Sequence, residues 1–153
     1  MPDVHIHRIV DQMTYKKGSF NIADFIAYHY PTMYYLELKT TQGASLPKAN
    51  ISDNQLKGMY WASKVKGLKC YVICWFYEKD ICLAFSIEYL WKLFNGLGKK
   101  SVRYDDPNGI LIQGTKKTTY WQWDWKCLFE RRKKNGSKQG TTTKSRTGKR
   151  TSK

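Results

Sequence analysis

Apolar residues recur along the chain in two rhythms that divide it into elements. Val4-His5-Ile6-His7-Arg8-Ile9-Val10 alternates with period two, which suits a strand over residues 4–10. Residues 22–29 and 33–39 form two β-rich runs, and Pro31-Thr32 between them suits a turn with Pro at its first central position. Residues 69–76 are almost uninterruptedly apolar, the pattern of a central strand buried on both faces. Glu78-Lys79-Asp80 punctuates that run, and residues 81–85 return as its neighbour. Residues 110–113 and 118–125 are expected to close the sheet.

The second rhythm is helical. Ser52-Asp53-Asn54-Gln55 reads as a capping box, with Ser at the N-cap and Gln three residues on. Leu56, Met59, Tyr60 and Ser63 continue at helical spacing, and Gly67 suits the C-terminal cap. Ser86 caps a second helix whose Ile87, Leu90, Trp91 and Phe94 make one apolar stripe of core character, ended by Gly96. Between elements lie three polar stretches: residues 11–20 with Lys16, Lys17 and Gly18, residues 40–50 with Gly43 and Pro47, and the basic residues 98–107. Asp105 and Asp106 precede Pro107-Asn108-Gly109 and are expected to be turn acids. The pattern predicts an α/β domain with a mixed sheet flanked by helices.

Three polar side chains interrupt the strands where chemistry can gather. Glu37-Leu38-Lys39 places Glu37 and Lys39 on one face of a strand. If Tyr30 and Met33 close a two-residue loop, Asp24 falls opposite Lys39 and diagonal to Glu37, on the same face. A slip of one residue would move Asp24 to the other face. Asp24, Glu37 and the Leu38 backbone carbonyl would supply the hard oxygens that Mg²⁺ prefers, leaving positions for water and phosphate. A cation held there activates a water and offsets charge on a scissile phosphate, with Lys39 as a fixed positive donor. The same spacing equally suits a plain carboxylate–lysine pair on a solvated sheet face.

Asp24-Phe25, Leu36-Glu37-Leu38-Lys39-Thr40-Thr41, Ser45-Leu46-Pro47, Asn50-Ile51 and Gln55-Leu56 together resemble the PD-(D/E)xK nuclease superfamily. More narrowly they resemble the RecU-type Holliday-junction resolvases of Gram-positive bacteria and their phages, over about residues 4–112. The resemblance implies a restriction-endonuclease-like fold and a Mg²⁺- or Mn²⁺-dependent endonuclease acting on DNA four-way junctions as a homodimer. It also implies a place in the cytoplasm of a bacterial cell or phage-infected host. Asp24, Glu37 and Lys39 become the catalytic set, and Gln55 gains a role in holding water or phosphate beside its role in the cap. The family's acidic helix before the first strand is not expected to have a counterpart here beyond Asp3 or Asp11, and residues 11–20 are short where the family carries a stalk. A general or flap-directed nuclease and a non-catalytic DNA-binding protein therefore stand as alternatives.

Composition adds a partner. The 153 residues carry a formal charge of +15, which favours a polyanion. Ten Lys or Arg and no acid fall in residues 131–153, leaving +5 for residues 1–130. That segment, beginning Arg131, Arg132, Lys133 and Lys134, has no large apolar residue and is expected to be disordered and to tether DNA. The remainder, residues 1–130, is read as one nuclease-like domain. Thr40, Thr41, Ser45, Lys48, Lys57, Lys99, Lys100 and Arg103 are further candidates for phosphate contact. No run of 18 apolar residues exists and no signal-peptide core opens the chain, so no membrane partner is expected. Cys70, Cys74, Cys82 and Cys127 lack paired metal-ligand spacing, and three lie in apolar runs expected to bury free thiols. His5 and His7 share an exposed strand face. Trp121, Trp123 and Trp125 alternate onto one face and are expected to pack against a helix or subunit rather than to stack on bases.

Overall fold

The strand that carries Glu37 and Lys39, β3 (Thr32–Thr41), pairs antiparallel with β2 (Phe25–His29) on one side and parallel with β5 (Leu68–Phe76) on the other. The computed structural model describes residues 3–9 and 21–130. Among these, β1 (Val4–Arg8), β6 (Ile81–Ser86), β8 (Ile110–Lys116) and β9 (Trp121–Asp124) complete a seven-stranded sheet in the order β1-β2-β3-β5-β6-β8-β9. Its other pairings are antiparallel. A parallel pair needs a crossover, and here the crossover runs through β4 (Ser45–Pro47) and α1 (Asp53–Ala62). α2 (Ile87–Trp91) continues as one π-helical turn over Lys92–Gly96, and α3 (Lys126–Phe129) ends the described chain. The mixed sheet flanked by helices expected of a restriction-endonuclease-like core is present.

The apolar run of β5 is buried on both faces, as its composition predicts. Val72, Cys74 and Phe76 join Leu56 and Met59 of α1 and Leu90 and Phe94 of the second helix. Ile73, on the opposite face, joins Ala27, Tyr34, Leu36, Ala84 and Ile112. Leu128 and Phe129 close that second face, with Phe129 edge-on to Tyr34 at 5.0 Å. α3 leaves no mark in the sequence pattern because four residues are too few for a helical stripe.

Several expectations need correction. The hairpin turns at Tyr30-Pro31, not Pro31-Thr32, with His29 paired to Thr32 and Phe25 to Leu36. The register therefore differs by two from that expected, which preserves the face of every side chain. α1 stops at Ala62 with Ser63 as its C-cap, and Gly67 serves the next turn at a φ of 85°. Both polar stretches beyond β3 contain strand: Ser45–Pro47 pairs with β7 (Ser101–Arg103). β9 is shorter than residues 118–125, and Trp125 belongs to the turn that starts α3. Residues 11–20 and 131–153, with Arg131, Arg132, Lys133 and Lys134, lie outside the described residues.

Gly58 shows how α1 is seated. A Cβ there would lie 2.8 Å from Ile22 Cγ2, and Ile22 is β-branched and stiff. Ala is worth ~1 kcal/mol over Gly in a helix, but this collision cancels the gain. Gly58→Ala is expected to lower the urea midpoint, and the added Ile22→Ala change to recover part of it. A Gly58→Ala protein as stable as the parent would show that Ile22 yields freely.

Candidate metal centre

The capping box at the start of α1 forms as its sequence predicts. Ser52 Oγ accepts from the Gln55 N–H at 3.1 Å, and Gln55 Oε1 accepts from the Ser52 N–H at 3.2 Å. The same Gln55 amide reaches the sheet. Its Nε2 donates to Glu37 Oε1 at 2.6 Å, and its Oε1 accepts from Lys39 Nζ at 3.4 Å. Lys39 Nζ lies 2.7 Å from Glu37 Oε1. One Gln55 side chain thus serves the cap of α1 and meets the Glu37–Lys39 pair on the sheet.

Glu37 is 2% exposed and Lys39 20%. Burial pushes the Glu37 carboxyl above its ordinary value, and the nearby Asp24 charge adds to the rise. Together these outweigh the opposite pull of Lys39 and Gln55. Burial wins because removing a carboxylate from water costs more than one partly exposed ammonium returns.

Asp24 sits just before β2 and is held on two sides. Its carbonyl accepts from Ile9 N–H at 2.8 Å, and its N–H donates to Leu36 O at 3.1 Å. Its Oδ2 accepts from Leu38 N–H at 2.8 Å. In an extended strand the N–H and C=O of one residue point to the same edge. The Leu38 carbonyl therefore lies on the edge where Asp24 sits, which is where a metal-ligating carbonyl is wanted.

The donor set fits a small divalent cation. Glu37 Oε2 is buried with no hydrogen-bond partner among the described residues, an orphaned anionic oxygen that needs a positive neighbour. Among the described residues no three His, Cys, Asp or Glu side chains gather. Mg²⁺ is satisfied by one or two carboxylates with water and phosphate completing its shell. Asp24, Glu37 and the Leu38 carbonyl would make such a set without a third acid.

Gln55→Glu separates the two roles of this residue. Glutamate serves a capping box as well as glutamine, but it sets a second carboxylate against Glu37. At about 4 Å that repulsion costs roughly 1–4 kcal/mol. The variant is expected to keep its helix signal and to lose thermal stability at pH 7 more than at pH 5. Equal losses at both pH values would argue against the coupling.

The other predicted residues sort by position. The β4–β7 pairing staples the two basic stretches together, with Pro47 level with Ser101 and Lys48 N–H donating to Lys100 O at 2.8 Å. Lys48, Lys99 and Lys100 line one cleft of about 720 Å³ with Ser52 and Asp53 at the start of α1. This convergence was not visible in sequence because neither short strand has a hydrophobic rhythm. Lys57 and Thr40 are exposed. The Thr41 hydroxyl donates to Ser45 O at 3.1 Å. The Arg103 guanidinium is bidentate to Asp105 at 2.8 and 3.0 Å and holds that carboxyl below its usual range. Asp106 accepts from the Asn108 N–H as the expected turn acid. Cys70, Cys74 and Cys82 are buried free thiols pushed up to about 12 by burial. Among the described residues no helix is long and apolar enough to cross a membrane.

No protein-family model and no curated protein matches the chain. Among solved structures it is similar to the 1.6 Å structure of Hjc from Archaeoglobus fulgidus, a Holliday junction resolvase from an archaeal hyperthermophile. The match has 15% identity and a TM-score of 0.43, and covers 56% of this chain and 65% of that one. The chain thus spans less than two thirds of that resolvase. Likeness at this level leaves the site to be read from its own geometry.

Proposed function

We propose that this chain is a metal-dependent endonuclease that hydrolyses DNA phosphodiesters, with four-way junctions as its substrate. The observation that carries this reading is the buried Glu37, bonded to Lys39 and Gln55 through one oxygen and left with an orphan at the other. A solvated surface ion pair has no need of burial or of a helix cap turned towards it. The resemblance of residues 24–56 to the RecU-type motif supports the choice of DNA and of junctions.

Asp24, Glu37 and the Leu38 carbonyl would hold Mg²⁺, or Mn²⁺, which when bound supplies Lewis-acid stabilisation of the phosphate and an activated water. The chain's own residues position everything else. Gln55 fixes the Glu37 carboxylate through a 2.6 Å hydrogen bond, so that little reorganisation remains at the moment of reaction. Lys39, one-fifth exposed, presents its ammonium to an incoming phosphate oxygen. The cleft lined by Lys48, Lys99 and Lys100 carries the flanking strand by its phosphates. Residues 131–153 add a non-specific tether. Symmetric cutting across a two-fold junction calls for a homodimer, and a monomeric mass at micromolar concentration would count against it.

The test is cleavage of a labelled four-way junction, a flap and a linear duplex, with Mg²⁺ and with chelator. Asp24→Asn and Lys39→Ala are run in parallel. Paired nicks in the junction, lost in both variants and in chelator, are expected. Cleavage of flap or duplex in preference to the junction would retain the nuclease and remove the resolvase. Salt-sensitive binding without cutting would leave a DNA-binding protein.

A further inference from the structure

Away from the metal centre, the β8–β9 hairpin builds a second cleft. About 430 Å³ in volume, it is lined by Trp75, Tyr120, Trp121 and Trp123 together with Lys116 and Lys117. We propose that this cleft binds an unpaired nucleotide of a DNA strand, its base stacked on the indoles and its phosphate met by the two lysines.

The site is built from cross-strand pairs. Gly114 is opposite Trp123, and Lys116 is opposite Trp121. A Cβ on Gly114 would collide with the Trp123 ring and come within 2.9 Å of Trp121 Cε3, so the missing side chain is what lets both indoles lie against the strand. Trp121 and Trp123 stack at 5.2 Å with 13° between their planes, and Trp75 meets Trp123 edge-on at 6.0 Å. No part of α3 lines the cleft. Trp123 and Trp125 also pack against the core cluster that holds Leu128 and Phe129 of α3, as expected of a helix contact, and the cleft lies on the part of the hairpin that α3 leaves open.

Charge selects the occupant. Lys116 Nζ sits 5.8 Å from the centre of the Trp121 ring, and Lys117 adjoins it while no acid lines the cleft. An apolar protein partner has no use for two ammonium groups at the rim, whereas a nucleotide needs both the flat aromatic surface and the cation. Tyr120, 61% exposed at the hairpin tip, adds an aromatic ring at the mouth. The Trp75 indole N–H is shielded and has no acceptor among the described residues. Duplex DNA keeps its bases stacked on one another, so the cleft favours single-stranded or branched ends.

The inference shares with the proposed function only its nucleic-acid partner, and its test involves no cleavage. Fluorescence anisotropy of the full chain is measured with a labelled oligothymidylate and with an abasic oligonucleotide of equal length and charge. Phosphate contacts made elsewhere on the chain are common to both ligands, so the ratio of affinities isolates the base. Tighter binding of oligothymidylate is expected, with Trp121→Ala reducing the preference about tenfold. Tyr120→Ala, at an exposed position with little bearing on folding, is expected to reduce it severalfold. Lys116→Gln with Lys117→Gln should weaken both ligands alike. Equal affinity for the two ligands, or a preference untouched by Tyr120→Ala and Trp121→Ala, overturns the proposal. So does a variant that changes the mass of the protein in solution and not the preference, because the cleft would then be a contact between copies.

Discussion

Glu37→Gln is expected to remove metal-dependent cleavage and yet make the metal-free protein more stable at neutral pH. The loss of activity, about 10²-fold or more, follows from the loss of the anionic oxygen at the centre of the cluster. The gain in stability follows from the raised pKa of Glu37. A carboxyl whose folded pKa lies above its unfolded value binds the proton more tightly in the folded state. Its contribution to stability is fully present below the ordinary value of 4.5 and is lost as pH rises through the raised value. Glutamine keeps the shape and the bonds to Lys39 and Gln55 without the cost of ionising a buried group. Thermal melts in chelator from pH 4 to pH 8 should show the parent losing ground to the variant as pH rises. Parallel melting curves across that range would mean that Lys39 compensates the Glu37 charge fully. Cleavage surviving in the variant would remove Glu37 from the chemistry.

Replacing the ten Lys and Arg of residues 131–153 by Gln is expected to change DNA affinity far more than turnover. Each phosphate that a cation no longer neutralises lowers the slope of log K against log salt by about 0.9. If the substitutions free about six phosphates, the slope falls by roughly five and affinity near 0.1 M salt drops by orders of magnitude. Cleavage at saturating DNA should be nearly unchanged, since Asp24, Glu37, Lys39 and Gln55 all lie before residue 131. A titration across salt concentrations checks the slope, and an unchanged slope would show that residues 1–130, with formal charge +5, carry the electrostatic interaction alone.

Long apolar rhythm was legible in the sequence, and short elements were not. The run at residues 69–76 announced β5 to within one residue, and Ser52 with Gln55 announced the start of α1. β4, β7 and α3 escaped because three or four residues cannot establish a period. The expected facing of the paired residues of β2 and β3 was kept despite a wrong turn position because the error in register was even. Gln55 was legible as a cap from its spacing and as a holder of water or phosphate only by resemblance, and its bond to Glu37 needed three dimensions. The tryptophan cleft was half visible: the alternation of Trp121 and Trp123 stood out. That Gly114 faces Trp123 depends on hairpin register, which the loose pattern of residues 114–120 does not fix.

All four side chains of the proposed metal centre come from residues 24–55, joined by a hairpin with a two-residue turn and by the first part of one crossover. The bonds that join them span 14 to 18 residues, so little loop-closure entropy opposes their assembly. The far edge of the sheet hangs on the three-residue pairing of β6 with β8. Opening of β8 and β9 therefore need not disturb Asp24, Glu37, Lys39 or Gln55. Local opening is thus expected at β8 and β9 before it reaches the β2–β3 hairpin. Amide exchange at Leu38 should be slow and close to global unfolding, while Gly114 and Thr115 exchange through a local event of lower cost.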